Sequence, residues 1–194
     1  MTSRELPLTS AGYYRSLLIE AESHIEHLRG YGHPVILLSH PISASTPAQE
    51  IQNLQRLAAT CDMLNINGLT PFDQIRFHAS LNPDDPRNFP EKFDIFYRGL
   101  VHRTDFLLMA PGYEDSRGCL DELSYAREKG KPVYRLLPAF TEEFMGEFEP
   151  EEVPLGTEYR FLAQLSDSRI RQHVLKQTYG LGRGRAWEPF VEAL

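Results

Sequence analysis

The stretch from Asp105 to Tyr134, DFLLMAPGYEDSRGCLDELSYAREKGKPVY, decides the fold. Asp105-Phe-Leu-Leu-Met-Ala110 is apolar without alternation, as expected of a strand covered on both faces in a parallel sheet. Pro111-Gly112 ends it, and small and polar residues lead into a helix predicted over Gly118 to Lys129. A further strand follows over Pro132-Val-Tyr-Arg-Leu-Leu137. A strand, a helix and a second strand in this order imply a right-handed crossover between parallel neighbours.

The same alternation extends toward the N-terminus. Tyr14, Leu17, Leu18, Ala21, Ile25 and Leu28 recur at helical spacing between Ser10 and Arg29, with Gly30 as the cap. Pro34-Val-Ile-Leu-Leu-Ser39 is another continuous apolar run, ended by Pro41. Thr46-Pro47 offers an N-cap followed by proline at the first helical position, and Ile51, Leu54, Leu57, Ala58 and Cys61 continue an apolar helix face. Met63 to Leu69 is expected as the second strand, Asn82 to Pro90 as an exposed proline-rich loop, and 93–103 as a helix. Toward the C-terminus, Leu136 to Tyr159 has no Lys or Arg and reads as a solvated acidic excursion. A helix over Glu158 to Leu175 and a flexible basic segment, Tyr179 to Arg185, precede Trp187. The whole predicts one α/β domain over 1–194: a Rossmann-like or flavodoxin-like sandwich with a parallel sheet of four to five strands and helices on both faces.

Composition bounds the function. The 194 residues carry 27 acidic against 20 basic side chains, a formal net charge of −7, which opposes nonspecific attraction to nucleic acid and anionic membranes. No run of 18 apolar residues suggests a membrane span, and the start MTSRELPLTSAGYYR lacks the pattern of a secretory leader. With Cys61 and Cys119 in apolar runs and no metal-ligand spacing, the expectation is a cytoplasmic protein with no metal and no cofactor. All but Lys92, Lys129, Lys131 and Lys176 of the basic residues are Arg, a bias suited to carboxylate or phosphate recognition.

In such a sheet, ligands bind beyond the strand C-termini. The candidate site therefore comprises Ser39, His40 and Pro41 after the first strand, Asp73 after the second, and Gly112, Ser116, Arg117 and Gly118 after the third. The last group opens a helix whose free N–H groups can hold a phosphate, a carboxylate or a sugar hydroxyl. Glu122 lies one turn further. A carboxylate there either stabilises the helix electrostatically or acts on a cationic sugar carbon. As an exposed or half-exposed helix residue it would contribute little to folding.

Asp105, Pro111, Gly112, Tyr113, Ser116, Gly118, Glu122, Ala126, Gly130, Lys131, Pro132 and Val133 form a pattern that resembles the nucleoside 2-deoxyribosyltransferase-like superfamily, which includes the 2'-deoxynucleoside 5'-monophosphate N-glycosidases. Leu38-Ser39-His40-Pro41-Ile42 is similar to that family's first-strand exit. The likeness covers about 33–137, leaving 1–30 and 140–194 as helical and loop extensions. It implies that Glu122 is nucleophile or stabiliser at the anomeric carbon, that Ser116 binds the 5' end, and that the chain forms a homo-oligomer with helix 10–29 and the tail around Trp187 as interface candidates. Two positions depart from the pattern. Leu37 stands where the family usually has a first-strand Tyr, and Tyr97 where many members have an Asp; the nearest acid, Asp94, is the second catalytic candidate.

The resulting expectation is cleavage or transfer of an N-glycosidic bond in a nucleoside or nucleotide. The alternatives are an NAD-type glycohydrolase and a non-catalytic protein that binds a nucleotide in the same cleft. A phosphoribohydrolase of the Lonely Guy type is disfavoured, because its Pro-Gly-Gly-x-Gly-Thr turn is absent.

Overall fold

Strand β1, Val35–Ser39, is buried at every position. In the computed structural model, which describes residues 10–78, 80–81, 90–137 and 191–194, it has a parallel neighbour on each side. On one side is β2, Thr70–Pro71, in register Val35 to Thr70; on the other is β3, Phe106–Met109, in register Ile36 to Phe106. β3 pairs in parallel with β4, Val133–Leu136, and β4 pairs antiparallel with β5, Val191–Ala193. The sheet order is thus β2-β1-β3-β4-β5, in an α/β protein whose sheet is mostly parallel.

The central strands β1 and β3 are buried at every position because both faces of the sheet are covered there. Val35, Leu37, Leu107, Met109 and Val133 pack in one cluster with side chains of α1 (Ser10–Arg29), α4 (Arg98–Arg103) and α5 (Arg117–Glu128). Ile36, Leu38, Phe106, Leu108 and Leu136 pack on the other face with Ile51, Leu54, Leu57 and Leu64 of α2 (Pro47–Ile66). Leu37 and Leu38 are both completely buried, each contributing about 1.5–3 kcal/mol of apolar burial. The apolar stripe of α1 is engaged in this core through Leu17, Ala21, Ile25 and Leu28. Asp105 locks the opposite, N-terminal ends of the strands: its Oδ2 accepts from Val35 N at 2.7 Å, and its Oδ1 pairs with Arg29 at 3.1 Å.

Three expectations are corrected. Met63 to Leu69 is not a strand: α2 runs to Ile66, since Cys61 and Leu64 extend the apolar face of Leu57, and the chain then turns through Gly68 at φ +87°. The second strand begins only at Thr70. Second, the helix over 93–103 is not uniformly α-helical. Lys92–Tyr97 forms a π-helical segment that runs directly into α4. Third, the fifth strand is antiparallel, held by Arg135 donating to Glu192 at 2.5 and 2.8 Å. Residues 82–89 of the loop expected over Asn82 to Pro90, the acidic excursion beyond Leu137, the helix at Glu158 to Leu175 and the basic segment at Tyr179 to Arg185 lie outside the described residues. Among the described residues no helix is long and apolar enough to cross a membrane.

Candidate functional site

From β1 the chain passes to β2 on one side, and β3 lies on the other, so the direction of winding reverses between β1 and β3. Helices leave those two strands toward opposite faces, which opens a crevice past their C-terminal ends. Ser39 ends β1, and the β3 exit turns through Gly112 at φ +81°, a left-handed conformation that favours glycine. This turn lies against Pro41, whose Cγ is 3.9 Å from where a Gly112 side chain would begin.

Ser116 is the N-cap of α5, its hydroxyl accepting from Cys119 N at 3.4 Å. The helix then turns Cys119, Glu122, Leu123 and Ala126 inward. Glu122 therefore sits within the buried stripe rather than on the solvent face. It is 7% exposed, against the exposed or half-exposed position expected of it. That burial was readable as periodicity: Glu122 falls three residues after Cys119 and four before Ala126.

Burial dominates the electrostatics of this carboxyl. It pushes the Glu122 pKa up to about 7, with the neighbouring Asp121 adding to the rise and the Ser39 hydroxyl opposing it. Ser39 is itself 1% exposed; its Oγ is near enough to act on Glu122 and Cys119, yet it has no partner in hydrogen-bonding geometry among the described residues. Burial and the Glu122 charge also raise the Cys119 thiol. The Tyr97 phenol is raised for the same reasons, with Glu122 first among the charges acting on it and Glu50 next. Glu122 is thus surrounded by groups that keep their protons near neutrality. No cation figures among the influences on its pKa. An ionised carboxylate so placed is an uncompensated negative charge, suited to a positive charge developing on a ligand.

The other expected residues divide. Gly118 borders the site, packed against Phe93, whose Cε1 lies 3.3 Å from where a side chain would start. Phe93 stacks on Tyr97 with ring centroids 5.3 Å apart, so the π-helical segment is seated on the start of α5. Arg117 is exposed in the first turn. His40 bonds through Nδ1 to Pro41 O at 2.9 Å and is driven toward its neutral form by burial; the charge acting on it is Arg56 of α2. Asp73 is buried and accepts from Ile75 N at 3.1 Å, opening the short helix α3 (Ile75–His78). Asp94 is exposed and paired at 2.7 Å with Arg98 on its own helical stretch, so it is not brought to Glu122 as the second catalytic acid.

Sequence reasoning missed a second polar group. The His78 ring donates from Nε2 to Glu50 Oε1 at 2.8 Å, with side chains 10% and 20% exposed. Lys92, partly buried, feels the charge of Glu50, and its Nζ lies 6.0 Å from the centre of the Tyr97 ring. Lys92 and Tyr97 are five residues apart, a spacing that an α-helix would place on different faces and that the π-helical turn brings together. The 28 residues separating Glu50 from His78 offered no local pattern.

The class of protein that fold and site define is an α/β protein with a mostly parallel sheet and a buried carboxylate at its C-terminal edge. Comparison with family models, curated proteins and solved structures returns no match to this chain.

Proposed function

We propose that this chain cleaves or transfers the N-glycosidic bond of a nucleoside or nucleotide, with Glu122 as nucleophile or as stabiliser of the oxocarbenium-like sugar. The observation that carries it is the buried Glu122 carboxyl, with a pKa of about 7, facing Ser39 and Tyr97 at the C-terminal edge of the sheet. Departure of the base leaves positive charge on the anomeric carbon, and a carboxylate without a cationic partner is stabilised as that charge appears. The resemblance to the nucleoside 2-deoxyribosyltransferase-like superfamily and the strand order β2-β1-β3-β4, that of a flavodoxin-like sheet, support the same reading. A 5'-phosphate would be met at the start of α5 by Arg117 and the free N–H groups beyond the Ser116 cap. A homo-oligomer belongs to the proposal, and sedimentation as a 22.2 kDa species at micromolar concentration would count against that part of it.

A ligand-binding protein without turnover is the second reading, favoured by one observation. Leu37, at the position of the family's first-strand Tyr, is completely buried in the core and brings no polar group to the site.

The deciding experiment is incubation with nucleosides, their 5'-monophosphates and NAD, following free base by chromatography. Wild type is expected to release base and Glu122→Gln to release none. Binding with no release across the panel would favour the second reading, and neither binding nor release would reject both.

A further inference from the structure

Glycosidic cleavage needs a proton for the departing base as well as a carboxylate for the sugar, and the exposed, Arg98-paired Asp94 does not meet that need. Resting on the glycosidase reading, we propose that His78 is the general acid that protonates the leaving base, with Glu50 as the residue that positions it. Both come from segments that follow strand C-termini: Glu50 from the first turn of α2, beyond the β1 exit, and His78 from α3, beyond β2. They thus stand at the same end of the sheet as Ser39 and Glu122. Tyr97 links the two groups, since the charges of both Glu122 and Glu50 act on its phenol while Lys92 lies over its ring. Glu122, Tyr97, Lys92, Glu50 and His78 thus form a chain of groups, each acting on the next, at that end of the sheet.

The hydrogen bond from His78 Nε2 to Glu50 fixes the ring and leaves Nδ1 as the nitrogen that exchanges a proton with a ligand. Glu50 faces the imidazole from α2, and Lys92 faces Glu50 from the π-helical segment. In the first step a Glu122 oxygen bonds to the anomeric carbon as its bond to the base nitrogen breaks. The electron pair of that bond goes to the base, which takes the Nδ1 proton of the imidazolium. In the second step water attacks the same carbon, the ester bond to Glu122 breaks, and the water's proton returns to His78. The sum is nucleoside plus water giving free sugar and free base.

Leaving-group chemistry supplies the test. A 4-nitrophenyl glycoside of the same sugar departs as a stable anion and needs no acid, whereas a natural base does. His78→Gln is expected to lower kcat for the natural nucleoside by roughly 10²–10⁴-fold and to leave the nitrophenyl substrate within about threefold of wild type. Glu50→Gln, which keeps an oxygen acceptor for the ring, is expected to show the same selectivity at smaller size. Glu122→Gln should lose both substrates. Equal losses on the two substrates in both the His78 and Glu50 variants, or no loss in either, would overturn the assignment of His78 while leaving the glycosidase reading in place. Absence of turnover of either substrate by wild type would defeat that reading first.

Discussion

Two carboxylates flank Tyr97, and their surroundings differ in kind. Glu50 is given an imidazole at 2.8 Å and a nearby ammonium, so its charge is engaged by other side chains. Glu122 is given a serine hydroxyl, a thiol and a phenol, none of which carries positive charge. A carboxylate that faces a ring N–H and an ammonium orients them. One without such partners is costly to ionise and becomes reactive toward whatever cation the ligand offers. The contrast teaches that burial alone does not assign a role; the chemical company of the buried group does.

The largest effect that would sharpen this contrast is on turnover. Glu122→Gln should reduce base release by at least about 10³-fold, while wild-type kcat/KM for the 4-nitrophenyl glycoside, which needs no acid, should rise with pH through about 7 as Glu122 loses its proton. A rate on that substrate independent of pH between 5.5 and 8 would break the link between this carboxyl and the chemistry.

Next in size is stability. The folded-state pKa of Glu122 lies above its ordinary value of 4.5, so the neutral buried form favours folding fully below pH 4.5, and that contribution is lost as pH rises through about 7. The shift corresponds to about 3 kcal/mol of destabilisation at pH 8 relative to pH 4. Glu122→Gln removes the titration, so its stability relative to wild type should improve by roughly 2–3 kcal/mol between pH 4 and pH 8. Urea unfolding of both proteins at the two pH values measures it. A constant difference would show that Glu122 reaches water more freely than its burial implies.

A smaller effect tests the turn that holds the two strand exits together. Gly112→Ala places a side chain at φ +81° without a clash against Pro41, so backbone strain alone should cost about 1 kcal/mol, or roughly 2–4 °C in Tm. The smallest effect is expected at Asp94. Asp94→Asn removes an exposed ion pair with Arg98, and both stability and base release should stay within about 0.5 kcal/mol of wild type. A large loss of activity would return Asp94 to the site and undo the contrast.

Much of the fold was legible in the chain. Continuous apolar runs at 34–39 and 105–110 marked buried parallel strands, because only a sheet covered on both faces tolerates apolar residues at successive positions, and the run at 132–137 marked a third parallel strand, with Arg135 exposed at its centre. Thr46-Pro47 and Ser116 marked the starts of α2 and α5, because a capping hydroxyl and a missing N–H are local requirements of a helix N-terminus. The two-residue β2 was not legible, since its pairing with β1 is set by the partner strand rather than by its own composition. Nor was β5, half-exposed to exposed, with Glu192 at its centre and a register fixed only against β4.

The site divides in the same way. Sequence by itself determined that Ser39, Gly112, Ser116 and Glu122 belong near the strand exits, because strand ends and helix starts follow from short-range pattern. Tertiary structure alone decided that Glu122 is buried with its pKa at about 7, that Asp94 faces solvent, and that Glu50 meets His78 across 28 residues. Charge state and partnership depend on which groups exclude water from one another, and that is a property of packing between elements rather than of any stretch of chain.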